Sequence, residues 1–218
     1  MAPLRRIDVV LDSVKRLQRI GASANLINLL QKQHPADLAE IFSELREKDC
    51  REALDLLLDH NSRLAMEALV EYGPEPGAAL LAGHPPERLA SWFQELPSDD
   101  AAALIDELPQ AVSDAVLVQM RPRESGEVEN LLEYAEQTAG RIMNPTVFAL
   151  AEGLTAGEAI QALQGSREVE MVFYLYVVDG RRHLVGVVSL RRLLLVAPET
   201  PLQRIMTTDL ISAQVDTD

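Results

Sequence analysis

The sequence predicts an α + α/β protein, an all-helical superhelix followed by a smaller α/β module. Through about the first 135 residues, apolar side chains recur every three or four positions, in segments of about ten residues closed by proline, glycine or asparagine. Beyond Val147 they gather instead in short runs rich in β-branched and aromatic residues. The change falls in Tyr134–Thr146, where Ile142-Met143 precedes Asn144-Pro145. A proline disfavours helix in the residue before it, so a helical approach ends there, an extended segment begins, and the stretch reads as a domain hinge. The same punctuation returns at Ile205-Met206-Thr207-Thr208, 63 residues later, which marks two starts of one module.

In the first half, Ile7, Val10, Leu11, Val14 and Leu17 line one face of a helix over Ile7–Ile20, and Gly21 supplies its stop. A second helix is expected over Asn25–Gln33. His34-Pro35 then opens a pattern that returns at His84-Pro85: with one inserted residue Leu38 matches Leu89, Phe42 matches Phe93, Leu45 matches Leu96 and Asp49 matches Asp100. Further short helices are expected over Asp49–Leu58, Ser62–Tyr72, Gly77–Ala82, Ser98–Leu108, Ala111–Met120 and Arg123–Tyr134. Helices this short do not bury their apolar faces alone, so a stack in which each pair covers the next is the economical arrangement.

In the second half a strand over Val147–Leu150 leads to a helix over Leu154–Leu163, with Thr155 as cap and Glu158 three residues on. Val172–Val178 and Leu184–Val188 form a hairpin about Asp179-Gly180. Ser189 caps a short helix, Leu190–Val196, and Pro198 and Pro201 flank a last turn reaching Ile205-Met206. Leu210–Val215 is expected to begin a second copy that the chain does not finish.

The net charge of −14 is concentrated in the helical half: residues 1–140 carry 25 acidic against 13 basic side chains, and 141–218 carry 9 against 7. Phosphate binding needs a basic face, so nucleic acid and an anionic membrane surface are poor partners, and a cationic one fits better. The single cysteine, Cys50, excludes an intramolecular disulfide and a cysteine-only metal site, consistent with a reducing cytosol. No apolar run approaches the roughly 20 residues that span a bilayer, and the start of the chain lacks a signal-peptide core, so the chain is expected to be soluble.

Phosphate-cradling glycine loops, nucleophile elbows and zinc-spaced His/Cys sets are absent, and no enzyme is expected. His34 and His84 each precede a proline at a helix entry, Cys50 aligns with Ala101 in the repeat, and Trp92 and Phe93 fall at core spacing. The carboxylates remain. Asp99-Asp100 follows Pro97 at a helix start, where complementing the helix dipole suffices to explain them. Glu67 lies inside the apolar stretch Arg63–Leu69, where an acid suggests a partner across the face. A hard cation such as Mg²⁺ takes oxygen ligands and keeps most of its waters, so two carboxylates from different elements are enough to hold it.

The repeated His-Pro helices, Glu133–Met143, Tyr174-Leu-Tyr176-Val-Val-Asp179, Leu184-Val-Gly-Val-Val-Ser-Leu190 and Thr200-Pro-Leu-Gln-Arg-Ile-Met206 together resemble the cytosolic region of the MgtE magnesium transporters. That family joins a helical N domain to a tandem of CBS modules, a connecting helix and a membrane pore. The resemblance implies an N domain-like superhelix over 1–135, a CBS module over 136–206 and a truncated second CBS module over 207–218, with the pore domain missing. It implies a Mg²⁺-sensing regulatory region at the cytoplasmic face of the cell membrane, gating the pore by closure of the N domain on the CBS module. Mg²⁺ is then a regulatory ligand held by Glu67, Asp99 and Asp100, and the CBS modules self-associate as a homodimer. Two positions depart from the family: Arg141 puts a cation where close approach to an ion is wanted, and Arg192 replaces a carboxylate that accepts ribose hydroxyls. The alternatives are a soluble CBS-domain sensor of adenine nucleotides, with Tyr174 stacking the base, and a protein-binding scaffold like the flagellar rotor protein FliG.

Overall fold

Prolines set the starts of several helices in the first half: Pro35, Pro74, Pro86 and Pro122 each occupy the first helical position, where a missing N–H is no loss. The computed structural model describes residues 6–166 and 173–218. In its first half the helices are α1 (Arg6–Arg19), α2 (Ser23–Leu30), α3 (Pro35–Ser43), α4 (Glu47–His60), α5 (Ser62–Tyr72), α6 (Pro74–Leu81), α7 (Pro86–Phe93), α8 (Ser98–Asp106), α9 (Gln110–Gln119), α10 (Pro122–Leu132) and α11 (Ala139–Ile142). Gly21, at φ +67, ends α1 as expected, and Gly73, at φ +111, turns the chain between α5 and α6.

The repeat is one of packing as well as of sequence. Leu38 and Leu89, Phe42 and Phe93, and Cys50 and Ala101 are buried at equivalent places in one continuous core. α3 lies on α5 as α7 lies on α9, and α8 packs against both α6 and α10, so each helix pair covers the apolar face of the next. The histidines differ: His34 caps α3 by accepting from Ala36 N, whereas His84 reaches Asp55 of α4, with 3.1 Å between Nε2 and Oδ1.

The chain divides into two compact units. One runs to Pro145 and takes in Val215–Asp218; the other lies within Thr146–Gln214. The second unit holds β1 (Ala149–Ala151), α12 (Ala156–Gly165), β2 (Tyr174–Val178), β3 (Leu184–Ser189), α13 (Leu190–Leu195) and α14 (Leu202–Ile205). Its sheet has the order β1-β2-β3, with β1 parallel to β2 and β2 antiparallel to β3; Tyr176 stands opposite both Ala149 and Val187. Leu150, Leu175, Val177 and Val188 point to a core shared with Ala156, Ala159, Leu193, Leu202 and Ile205. The alternate residues Tyr174 and Tyr176 stay exposed on the other face. Thr155 and Glu158 form the expected capping box, and Ser189 Oγ accepts from Arg192 N at the start of α13. Met206 lies so close over Gly186 that a Cβ there would stand 2.5 Å from its sulfur.

Some expectations shift in the structure. The first strand is Ala149–Ala151 rather than Val147–Leu150, because its hydrogen-bonded pairing to β2 begins at Ala149↔Tyr176. The expected strand start at Val172 lies outside the described residues, and the hairpin turn is a five-residue loop in which Asp179 Oδ1 accepts from the N–H groups of Arg181 and His183. Leu210–Val215 forms no strand, and Ile211 is fully exposed; pairing with β3 goes no further than a single bridge between Val187 and Thr207.

Candidate metal centre

Helix α8 begins directly behind Pro97 with no side chain closing its first turn. Asp99 and Asp100 occupy that turn, where free N–H groups and the helix dipole favour anions. Capping does not account for Asp99, whose Oδ1 is shut off from solvent and accepts no hydrogen bond from the described residues. A buried acceptor left without a donor carries its full desolvation cost. The neighbouring carboxyl is also under pressure: burial first, then the charges of Asp99 and Glu71, raise the Asp100 carboxyl above its ordinary 3.8. None of the ion pairs among the described residues includes Asp99, Asp100 or Glu71.

Glu67 is placed differently. It sits on α5 one turn before Glu71, on the same helix face, and its Oε1 pairs with Arg63 Nε at 2.9 Å. Its side chain is 38% exposed. Asp100 thus feels the charges of Asp99 and Glu71, while no hydrogen bond or ion pair among the described residues joins Glu67 to the other two expected ligands. Sequence reasoning missed Glu71; its signal was the four-residue spacing from Glu67 on one helix. Among the described residues no three His, Cys, Asp or Glu side chains come together as a ready metal cage. The donor chemistry nevertheless suits Mg²⁺, a hard cation satisfied by a few carboxylate oxygens and its own waters.

The other singled-out residues have local roles. Arg141 is turned into the helical unit, its side chain 9% exposed, and pairs with Asp106. Cys50 is a packed core residue whose thiol burial pushes up to about 11, against the lowering effect of Arg51. Trp92 is buried under His84 and Arg88, with ring centroids 4.9 Å from His84 and the guanidinium 4.7 Å above the indole. In the second unit, Arg192 is exposed at the first turns of α13, and Tyr174 is exposed on β2.

Two family descriptions match the chain: the MgtE intracellular N domain over residues 33–137 and the CBS domain over residues 139–199. The magnesium transporter MgtE of Thermus thermophilus is 39% identical over 98 residues, which cover 44% of this chain and 22% of that protein. The chain therefore matches about a fifth of the length of its curated relatives. Among solved structures, the cytosolic domain of the Mg²⁺ channel MgtE in complex with ATP superposes with a TM-score of 0.86 at 32% identity, covering 95% of this chain and 84% of that one. The soluble part of a magnesium transporter gives a TM-score of 0.80 at 23% identity, over 98% and 83% of the two chains, and supports the fold.

Proposed function

Since the chain belongs to the MgtE family, we propose that it is a Mg²⁺-sensing regulatory region of a magnesium transporter, gating a membrane pore by cation-dependent closure of its helical N domain on its CBS module. The observation that carries this reading is the uncompensated carboxylate cluster at the start of α8. Asp99 Oδ1 has no donor among the described residues, and burial and two neighbouring acids work against ionisation of Asp100. Mg²⁺ there supplies positive charge and ordered waters. Asp99 and Asp100 hold it from α8, and Glu67 joins from α5 by giving up Arg63. An exposed ion pair of that kind is worth only about 0–1 kcal/mol, so a divalent ion displaces it at little cost.

The reading places the chain at the cytoplasmic face of the membrane with a pore domain as its partner, and involves neither catalysis nor nucleic acid. It also has the CBS modules self-associating as a homodimer, supported by the uncovered face of the sheet at Tyr174 and Tyr176. A second reading, an adenine-nucleotide site in the CBS module, is favoured by the ATP bound to a relative 32% identical. Arg192 weighs against it, because a guanidinium donates hydrogen bonds and cannot accept them from ribose hydroxyls.

Calorimetric titration of the chain with MgCl₂, and separately with ATP, at fixed ionic strength tests both readings. Saturable Mg²⁺ binding that weakens in D99A and in E67A, with ATP weak or silent, is the expected result. No Mg²⁺ heat together with micromolar ATP binding would overturn the first reading in favour of the second.

A further inference from the structure

A four-residue helix does not hold itself, because nucleating a turn costs more than its one or two hydrogen bonds return. α11 is nonetheless formed, and its surroundings show why. The N–H groups of Ala139 and Gly140 donate to the carbonyls of Thr217 and Val215, both at 2.8 Å, and those of Arg141 and Ile142 donate to Thr138 O. Gly140 permits this closeness: a Cβ there would stand 2.7 Å from the ring of Tyr134 and 2.8 Å from Val215 O.

The side chain of Arg141 completes the attachment. Its Nη1 donates to Leu131 O, in the last turn of α10, at 3.0 Å, and its Nη2 pairs with Asp106, the last residue of α8. Both partners stand at helix C-termini, where the helix dipole concentrates negative charge and an added carboxylate is unfavourable until a cation covers it; Leu131 O accepts from Tyr134 N at 3.2 Å and has a second lone pair for the guanidinium. One planar guanidinium meets both needs; its own side chain is 9% exposed, while that of Asp106 is 43% exposed.

We propose that Arg141 is a built-in cationic clasp that fixes α11 to the ends of α8 and α10, so that this junction is held without any divalent ion. A joint that responds to Mg²⁺ then lies beyond Ile142. The inference stands apart from the Mg²⁺ proposal, since it concerns a contact made by the chain's own cation.

Hydrogen–deuterium exchange of the whole chain, followed by mass spectrometry over residues 139–142, tests it in EDTA and in millimolar Mg²⁺. The parent chain is expected to show the same protection in both. R141M and D106N should each speed exchange there by about tenfold or more, the scale of a lost charge-assisted hydrogen bond. The double variant should be no worse than R141M alone, because D106N removes a contact that R141M has already lost. R141K should recover only part of the protection, since an ammonium lacks the fork that reaches Asp106 and Leu131 together. Unchanged exchange in α3 and α5 shows that each variant remains folded. Protection that appears only with Mg²⁺, parent-like exchange in R141M, or additive effects of R141M and D106N would overturn the clasp.

Discussion

At Asp100 two forces act in opposite directions. The start of α8 favours an ionised carboxylate by about 0.3–1 kcal/mol, while burial and the charges of Asp99 and Glu71 disfavour it and prevail, since the carboxyl is raised above 3.8. An acid with a raised folded-state value binds its proton more tightly in the folded chain. Between the unfolded value of 3.8 and the folded one, stability therefore rises as pH falls; above that window the penalty is fully present, and below it the penalty is gone. Asp100→Asn should accordingly raise the urea midpoint at pH 7, and its advantage should shrink on acidification and disappear near pH 3.8. Urea titrations at several pH values check this. A constant advantage would mean that the side chain acts through packing and not through charge. The same charges explain why the residue was only half legible in sequence: Asp99-Asp100 stands out beside Pro97, but the influence of Glu71, 29 positions earlier, depends on how α5 and α8 both pack against α6.

The helices themselves were legible because a period of three and four residues is a property of the chain alone. Ser62–Tyr72 is found at the expected bounds, and the Ile-Met pairs keep their self-similarity in three dimensions. α11 ends at Ile142 and α14 at Ile205, and each following methionine is extended, Met143 at φ −75 and ψ 145 and Met206 at φ −72 and ψ 151. What failed depended on partners. α6 starts at Pro74, before the expected Gly77, because the proline begins the helix that the glycine only packs within. Leu210–Val215, expected to begin a second copy of the module, has the composition of a strand but bridges to β3 only just before it, at Thr207. The contact between Arg141 and Asp106 joins residues 35 apart that no spacing rule connects. At this scale the repeat makes its own prediction. Phe42 and Phe93 fill matching places in α3 and α7, at 1% and 0% exposure, so Phe42→Ala and Phe93→Ala should each cost about 3–5 kcal/mol. Phe42 also meets Tyr72 edge-on at 6.2 Å, a contact of about 0.5–1.5 kcal/mol beyond burial. Equilibrium unfolding of both variants checks the pair. A cost below about 1 kcal/mol at either site would mean that the helices of that repeat slide to close the cavity, against the close packing expected of such a core.

For the whole molecule, the decisive quantity is the uneven charge. With 25 acids against 13 bases in residues 1–140, the helical half repels itself and any acidic neighbour. A divalent cation that binds a compact arrangement more tightly than an open one shifts the population toward compact, by no more than its difference in affinity for the two. Millimolar Mg²⁺ should therefore lower the radius of gyration and raise the thermal midpoint, and small-angle scattering is the measurement. Ionic strength must be matched with a monovalent salt, because screening over about 10 Å at 0.1 M relieves the same repulsion without a specific site. Several protein concentrations are needed as well, since homodimer formation enlarges the particle while closure shrinks it. E67A and D99A separate the roles of the two helices. If both residues are ligands, each variant loses part of the Mg²⁺ response while its helices stay folded. If Asp99 serves only the dipole of α8, D99A lowers the midpoint equally with and without Mg²⁺. Arg141 does not compete for the ion in this account, because its guanidinium is already committed to Asp106 and Leu131. An unchanged radius in the parent chain, with the same midpoint in EDTA and in Mg²⁺, would mean that the acidic surface is screened by ordinary salt alone, and the cation-sensing role would fall.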